Sequence, residues 1–254
     1  MIKVSIITIV YNNKEFIADC LNSVKKQSYA NIEHIVIDGG SSDGTQEIIA
    51  PFVSDLGFYI SEKDTGLYNA LNKGIANCSG DVIGLLHSDD FFYDTQTVAK
   101  VAKKFEESCA DLVYANGMYV DRKNTSLVKR IYKSKKFKKR YLKWGWIPLH
   151  TTIYVKKSIF DQFGIYNESY RIASDYEISL RWFFNKKINK SFLNQWVVKM
   201  RLGGKSTTAK LQNEKSREDF KIIQNYPLFG IFSLVFKIIR KIPQYIFPRL
   251  KDFN

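Results

Sequence analysis

Over its first 110 residues the chain alternates apolar, β-branched runs with stretches of helical periodicity, and a mainly parallel α/β sheet is the architecture that suits such alternation. Val4 to Val10 reads as a strand ending at Tyr11-Asn12-Asn13. A helix from about Lys14 to Gln27 follows, carrying Phe16, Ile17, Cys20, Leu21 and Val24 on one face. His34 to Ile37, Phe58 to Ser61 and Val82 to Leu86 are the next strands. Helices are expected up to about Phe52, over Leu67 to Ala76 and from about Thr95 to Glu107. Polar residues fall just past the strand ends: Asn12, Asp38, Asp64 and the pair Asp89-Asp90. In a parallel sheet the carboxyl ends share one rim, so these side chains converge on one crevice. Taken singly, each would also suit a turn.

The run Val82 to Leu86 ends abruptly on Asp89-Asp90. Adjacent carboxylates repel, and a divalent cation shared with phosphate oxygens would relieve that repulsion. The alternative is a turn whose Asp caps the following helix. Asp38-Gly39-Gly40-Ser41-Ser42-Asp43-Gly44-Thr45 lets backbone approach a ligand and leads into a helix amino terminus, which suits anions. It is neither a G-x-G-x-x-G fingerprint nor a P-loop, because the glycine spacing and the lysine are missing.

The second half is less regular and much more basic. None of the net charge of +14 comes from the first hundred residues; Lys and Arg crowd Arg122 to Lys143 and recur from Lys205 onward. That favours an anionic partner: nucleic acid, acidic lipid or a phosphorylated substrate. Asp111 to Val120 reads as one or two strands around Asn116-Gly117, and Thr151 to Val155 as another. Lys133 to Tyr141 reads as a solvated helix or loop, and His150 as structural. Ser174-Asp175-Tyr176-Glu177 has the spacing of a capping box, which gives Glu177 a structural task and leaves Asp175 ionised at a helix start. Tyr226 to Leu250 is apolar and basic at once, the composition of an amphipathic surface helix beside anionic lipid. Three scattered cysteines suggest reduced thiols in a cytosolic setting. The chain start is too short for a signal peptide, and no run approaches the roughly 20 residues needed to span a bilayer.

Several segments together resemble the family 2 glycosyltransferases, inverting enzymes of the GT-A fold. They are Val4-Ser5-Ile6-Ile7-Thr8 with Tyr11-Asn12, the loop Asp38 to Thr45, Asp64-Thr65-Gly66-Leu67-Tyr68-Asn69-Ala70-Leu71-Asn72-Lys73-Gly74, and Gly80-Asp81 leading to Ser88-Asp89-Asp90. The match is dense over residues 3 to 95 and looser through Ser174-Asp175-Tyr176-Glu177 to Gly203-Gly204-Lys205-Ser206. The resemblance implies a Rossmann-like, mainly parallel sheet with helices on both faces. It divides the chain into a nucleotide-sugar half (1–95), an acceptor half (96–210) and a basic helical extension (211–254).

It also implies roles. Asp38 would read the nucleotide base beside Thr8 and Tyr11. Asp64, Asn72 and Lys73 would hold nucleotide and diphosphate, and Ser88-Asp89-Asp90 would be the metal and ribose site, taking Mn²⁺ or Mg²⁺. His87 stands where an acid is frequent, which puts Asp89 ahead of Asp90 as the direct ligand. Lys205 would assist the departing diphosphate, and Asp175 would be the catalytic base. The implied donor is a nucleoside-diphosphate sugar, with a UDP-hexose or UDP-N-acetylhexosamine favoured. The implied acceptor is a glycan on a polyprenyl diphosphate in bacterial surface-polysaccharide (O-antigen or capsule) synthesis. The enzyme would then sit peripherally at the inner face of the bacterial inner membrane, with no role for nucleic acid. Two other classes compete. A nucleotidylyltransferase would want a basic Gly-rich loop where Tyr11-Asn12-Asn13 stands, and a nucleic-acid-binding protein leaves the acidic rim unexplained.

Overall fold

The computed structural model describes residues 1–203 and 209–250. Nine strands form one sheet: β1 (Val4–Val10), β2 (Ile32–Asp38), β3 (Phe58–Ser61), β4 (Val82–Leu85), β5 (Phe91–Phe92), β6 (Leu112–Val120), β7 (Val128–Tyr132), β8 (Ile153–Lys156) and β9 (Lys190–Arg201). Their order is β3-β2-β1-β4-β8-β6-β9-β5, with β7 paired to β6. β1 to β4 are mutually parallel, as the alternation requires. β8 enters antiparallel beside β4 and β6, β9 lies parallel to β6, and β5 pairs antiparallel with β9. Asp111 to Val120 is thus one strand; its register with β9 shifts around Asn116, where the sequence suggested a break.

Helices cover both faces. α1 (Ile17–Lys25) and α4 (Thr97–Ser108) pack on one, where Ile6, Cys20, Val24, Val98 and Val101 form a buried cluster. α3 (Leu67–Ala76), α6 (Lys157–Phe163) and α7 (Ser174–Phe184) cover the other, around Ile7, Ile35, Leu71, Phe160 and Phe183. α2 (Thr45–Ile49) follows the Asp38 loop. The basic run from Lys133 is mostly irregular and ends in the single turn α5 (Arg140–Lys143). Three C-terminal helices follow: α8 (Ala209–Gln224), α9 (Ile231–Ile239) and α10 (Lys241–Leu250). α8 is not peripheral, for Ile222 and Ile223 belong to the largest core cluster.

The capping box does not form. Ala173 takes the cap position without a side-chain bond, and the Ser174 hydroxyl is buried with no partner. Glu218 on α8 caps the segment from outside, its carboxylate accepting the N–H groups of Arg171, Ile172 and Ala173 at 2.8–2.9 Å. Glu177 pairs with Arg181 one turn on and accepts from the Tyr226 hydroxyl, so it is structural by another route.

His34 lies beneath α1, its Nε2 3.0 Å from the Thr8 hydroxyl, and burial pushes its pKa down to about 3. An unfolded chain would bind a proton at this site below about pH 6.5 and the folded one would not. Stability should therefore be full above that pH and fall progressively toward pH 3, by a few kcal/mol at about pH 4 from this residue alone. Melting temperatures across pH 7 to 4.5 should show the decline. His34→Gln, which keeps a partner for Thr8 without titrating, should flatten it.

Candidate functional site

The carboxyl ends of β1, β2 and β4 are stitched into one rim by side chains of the loops themselves. Asn12 donates its backbone N–H to Ser41 Oγ at 2.8 Å and accepts from the Ser42 N–H at 2.9 Å. Asn13 donates its amide N–H to Ser88 Oγ at 2.8 Å. Asp38 is fully buried and accepts 2.5 Å bonds from the hydroxyls of Ser41 and Ser61, so its carboxylate builds the loop and does not face a base directly. The acid that stands beside exposed Tyr11 is Asp64. Its approach depends on Gly39, where an added Cβ would lie 2.4 Å from Asp64 Oδ2. Lys73 is ion-paired at 2.6 Å with Glu62, which follows β3.

Two other expected contacts turn inward. Thr8 is fully buried on the α1 side of the sheet, its hydroxyl engaged by His34 and Cys20, so it is not on the rim. Asn72 faces the segment between α6 and α7: its amide donates to Tyr166 O and Glu168 Oε1, and its Oδ1 accepts the Tyr166 N–H. It clasps the segment before α7 and has no capacity left for a diphosphate. Lys205 lies outside the described residues.

The acid pair divides sharply. The Asp89 side chain is 23% exposed, with Arg122 3.8 Å away, and only its backbone carbonyl is engaged by Arg201, at 2.7 Å. Asp90 is 1% exposed. Its Oδ1 accepts the Arg201 N–H at 3.1 Å, its Oδ2 is buried without a partner, and burial together with the Asp89 charge raises its pKa well above its ordinary value. Turned inward onto the Arg201 N–H, Asp90 presents no open carboxylate edge to the crevice, which leaves Asp89 the better placed of the two to meet a cation. Among the described residues no three acids, histidines or cysteines form a closed metal cage. One accessible carboxylate on a crevice rim does fit a Mn²⁺ or Mg²⁺ that takes its other ligands from substrate phosphate and water.

Opposite this pair, α7 presents Asp175, its side chain 20% exposed. Tyr68 on α3 brings it in: the phenol donates to Ile172 O at 2.7 Å and lies 3.3 Å from Asp175 Oδ1. Burial alone would raise the Asp175 pKa, but the charges of Lys215, His150 and Lys237 and the Tyr176 N–H outweigh it and hold the carboxyl below its usual range.

Two histidines join the acid loop to α7. His150 Nδ1 is 3.3 Å from Asp175 Oδ2, and His150 Nε2 is 2.9 Å from His87 Nε2. Burial lowers both imidazoles, His150 to about 4, so both are neutral near pH 7. Neutral rings allow one consistent direction: His87 Nε2–H donates to His150 Nε2, and His150 Nδ1–H donates to Asp175. His150 is thus part of the site and not merely structural, and His87 links the acid loop to Asp175.

Comparison with known proteins places the chain among glycosyltransferases. The family model described as Glycosyl transferase family 2 matches residues 5–163. A PGL/p-HBAD biosynthesis glycosyltransferase of Mycobacterium tuberculosis is 28% identical over 258 residues, covering 95% of this chain and 91% of that protein. An uncharacterized glycosyltransferase of Rickettsia typhi is 29% identical over 220 residues, 83% and 67% of the respective chains. Among solved structures, S. aureus TarS 1-349 in complex with UDP-GlcNAc aligns with TM-score 0.66 at 17% identity, over 99% of this chain and 75% of that one. The mannosyltransferase PcManGT of Pyrobaculum calidifontis, in complex with GDP-Man and Mn²⁺, aligns with TM-score 0.61 at 14% identity, over 97% and 74%. At such identities the structural likeness speaks for the fold.

Proposed function

The chain belongs to glycosyl transferase family 2 and has the GT-A fold, and from that premise we propose that it transfers a sugar, with inversion, from a UDP-sugar to a hydroxyl of a lipid-diphosphate-linked glycan. The observation that carries the reading is the His87–His150–Asp175 chain, which ties a candidate base to the acid loop across one crevice. Tyr11 and Asp64 flank the base side of the donor, while Asp38 holds the loop that shapes it. Ser88 and Asp89 meet the ribose and diphosphate. Asp89 would hold a Mn²⁺ or Mg²⁺ whose charge, when bound, offsets the negative charge on the leaving phosphate oxygen. Lys73 and Lys205 supply further positive charge. Asp175 accepts the acceptor hydroxyl proton as that oxygen attacks the anomeric carbon from the face opposite the diphosphate. An α-linked donor would so yield a β-glycoside. The acceptor would be met at the inner face of a bacterial membrane, in surface-polysaccharide assembly.

A panel of sugar nucleotides with Mn²⁺ or Mg²⁺, scored by protection against melting and by donor hydrolysis, tests the reading; if none binds with metal present, it is wrong. His150 is assigned a positioning role. His150→Ala should lower kcat about tenfold or more with little change in donor KM. His150→Asn, which keeps a donor near the Nδ1 position, should retain more of the activity. Equal losses in both variants, shared by donor KM, would remove His150 from the mechanism.

A further inference from the structure

The outer face of α9 and α10 is apolar and open. Ile231, Phe232, Val235, Ile238, Ile239, Ile242 and Ile246 are all exposed, Phe232 the most at 65%. Within each helix their spacing follows one face: 231, 232, 235, 238 and 239 on α9, and 242 and 246 on α10. Inward, α9 is firmly seated. Ser233 Oγ donates to Lys143 O at 2.6 Å, and Lys237 pairs with Asp219 at 2.7 Å while lying 3.3 Å from the centre of the Tyr176 ring. Gly145 permits this seat, for a Cβ there would fall 2.4 Å from the Lys237 backbone nitrogen. The open face is therefore held on the fold and is not a frayed end.

Charge surrounds it. Arg122 to Lys143 contains eleven Lys and Arg and no acid, and Tyr226 to Leu250 contains no acid either. Trp144 joins the two segments, stacking edge-on against Phe229 and Phe236 with ring centres 5.7 and 4.6 Å apart. Arg130 of β7 reaches α10, donating to Gln244 at 2.8 Å. Lys133, Lys136, Lys138, Lys139 and Arg140 are exposed beside this junction.

We infer that this face docks the protein in the plane of an anionic lipid bilayer, with the α9–α10 apolar stripe in the headgroup–acyl boundary and the 133–143 segment among the headgroups. No helix among the described residues is long and apolar enough to cross a membrane, so the contact is interfacial. A second copy of the chain is the poorer occupant, because pairing this face with itself brings two acid-free basic segments together. Anionic lipid satisfies the apolar and the basic parts at once. The geometry adds a consequence for the acceptor. Lys237 touches Tyr176, next to Asp175, so the thickness of α9, roughly 10–12 Å, and the Tyr176 ring lie between the candidate base and the lipid-facing side. That depth suits a reacting hydroxyl close to its lipid anchor, on the first or second sugar of a short acceptor. The acceptor point deepens the proposed reaction and rests on it; the docking does not.

The test is flotation of the full chain with vesicles of phosphatidylcholine alone or with one third phosphatidylglycerol. Binding should require the anionic lipid, and brominated acyl chains should quench Trp144, an effect lost in Trp144→Phe. Phe232→Ser/Ile239→Ser/Ile242→Ser should weaken vesicle binding at least tenfold, and Lys136→Gln/Lys139→Gln/Arg140→Gln should abolish the preference for anionic lipid. Both variants should keep wild-type melting protection by the donor nucleotide, which separates failure of docking from failure of the glycosyltransferase reading. Equal binding to both vesicles, or binding indifferent to the apolar triple variant, would overturn the inference. So would a concentration-dependent dimer that the apolar variant dissolves.

Discussion

Asp175→Asn is expected to cut transfer by about three orders of magnitude, the scale of a lost general base, while leaving donor affinity and melting temperature near wild type. The amide keeps an oxygen to accept the His150 Nδ1–H, so the chain to His87 can survive and only proton acceptance is lost. The pH profile carries the same logic. Lys215, His150 and Lys237 hold the Asp175 carboxyl below its usual range against the effect of burial, so its protonation cannot limit activity near neutral pH. kcat should stay level from about pH 8 to 5. It should fall only as His150, with its pKa near 4, becomes a cation that makes Asp175 a weaker base. Steady-state kinetics and nucleotide-protected melting on the one variant decide it: a parallel loss of donor binding would mean Asp175 belongs to the donor site.

The second large effect separates two neighbours that look alike in sequence. Asp89→Asn should weaken metal-dependent donor binding at least tenfold, because its half-exposed carboxylate is the one offered to a cation. The loop should stay folded, since Arg201 is held by the Asp89 backbone carbonyl and not by that carboxylate. Asp90→Asn should leave the proposed metal dependence of donor binding intact: the carboxyl is buried, its pKa is raised, and an amide oxygen can still accept the Arg201 N–H. Donor titrations with and without Mn²⁺ or EDTA separate the two, and equal losses would overturn the division.

Much of this was legible because it is local. β1 to β4 and the helices between them are short runs whose periodicity and terminal polar residues need no distant partner, and the strand-end rule brought Asn12, Asp64 and Asp89 to one rim. What was missed is long-range or hidden by parity. β1 is buried on both faces, so its pattern cannot say that Thr8 points under α1. Asn72 sits in an apolar helix, yet its partners are ninety-four residues away. Ser174 has the right spacing for a cap, but Glu218 arrives from α8 and displaces it. The 63-residue gap between His87 and His150 leaves no local trace at all. β9, half-exposed and carrying Lys190, Asn194 and Gln195, has no clean alternation to announce it.

The Arg201 side chain reaches Asp19 at 2.5 Å and the Asp89 carbonyl at 2.7 Å, and its backbone N–H holds Asp90. The acid loop therefore depends on a residue synthesised 112 positions after Asp89. At roughly 5–20 residues per second, that is a delay on the order of ten seconds on the ribosome. During that interval the donor-side strands can pair, but Asp19, Asp89 and Asp90 lack the cation that orders them. A nascent chain stalled before residue 201 would carry the paired strands β1 to β4 and an unsettled acid pair. The last strand to emerge is thus the one that sets the acid loop in place.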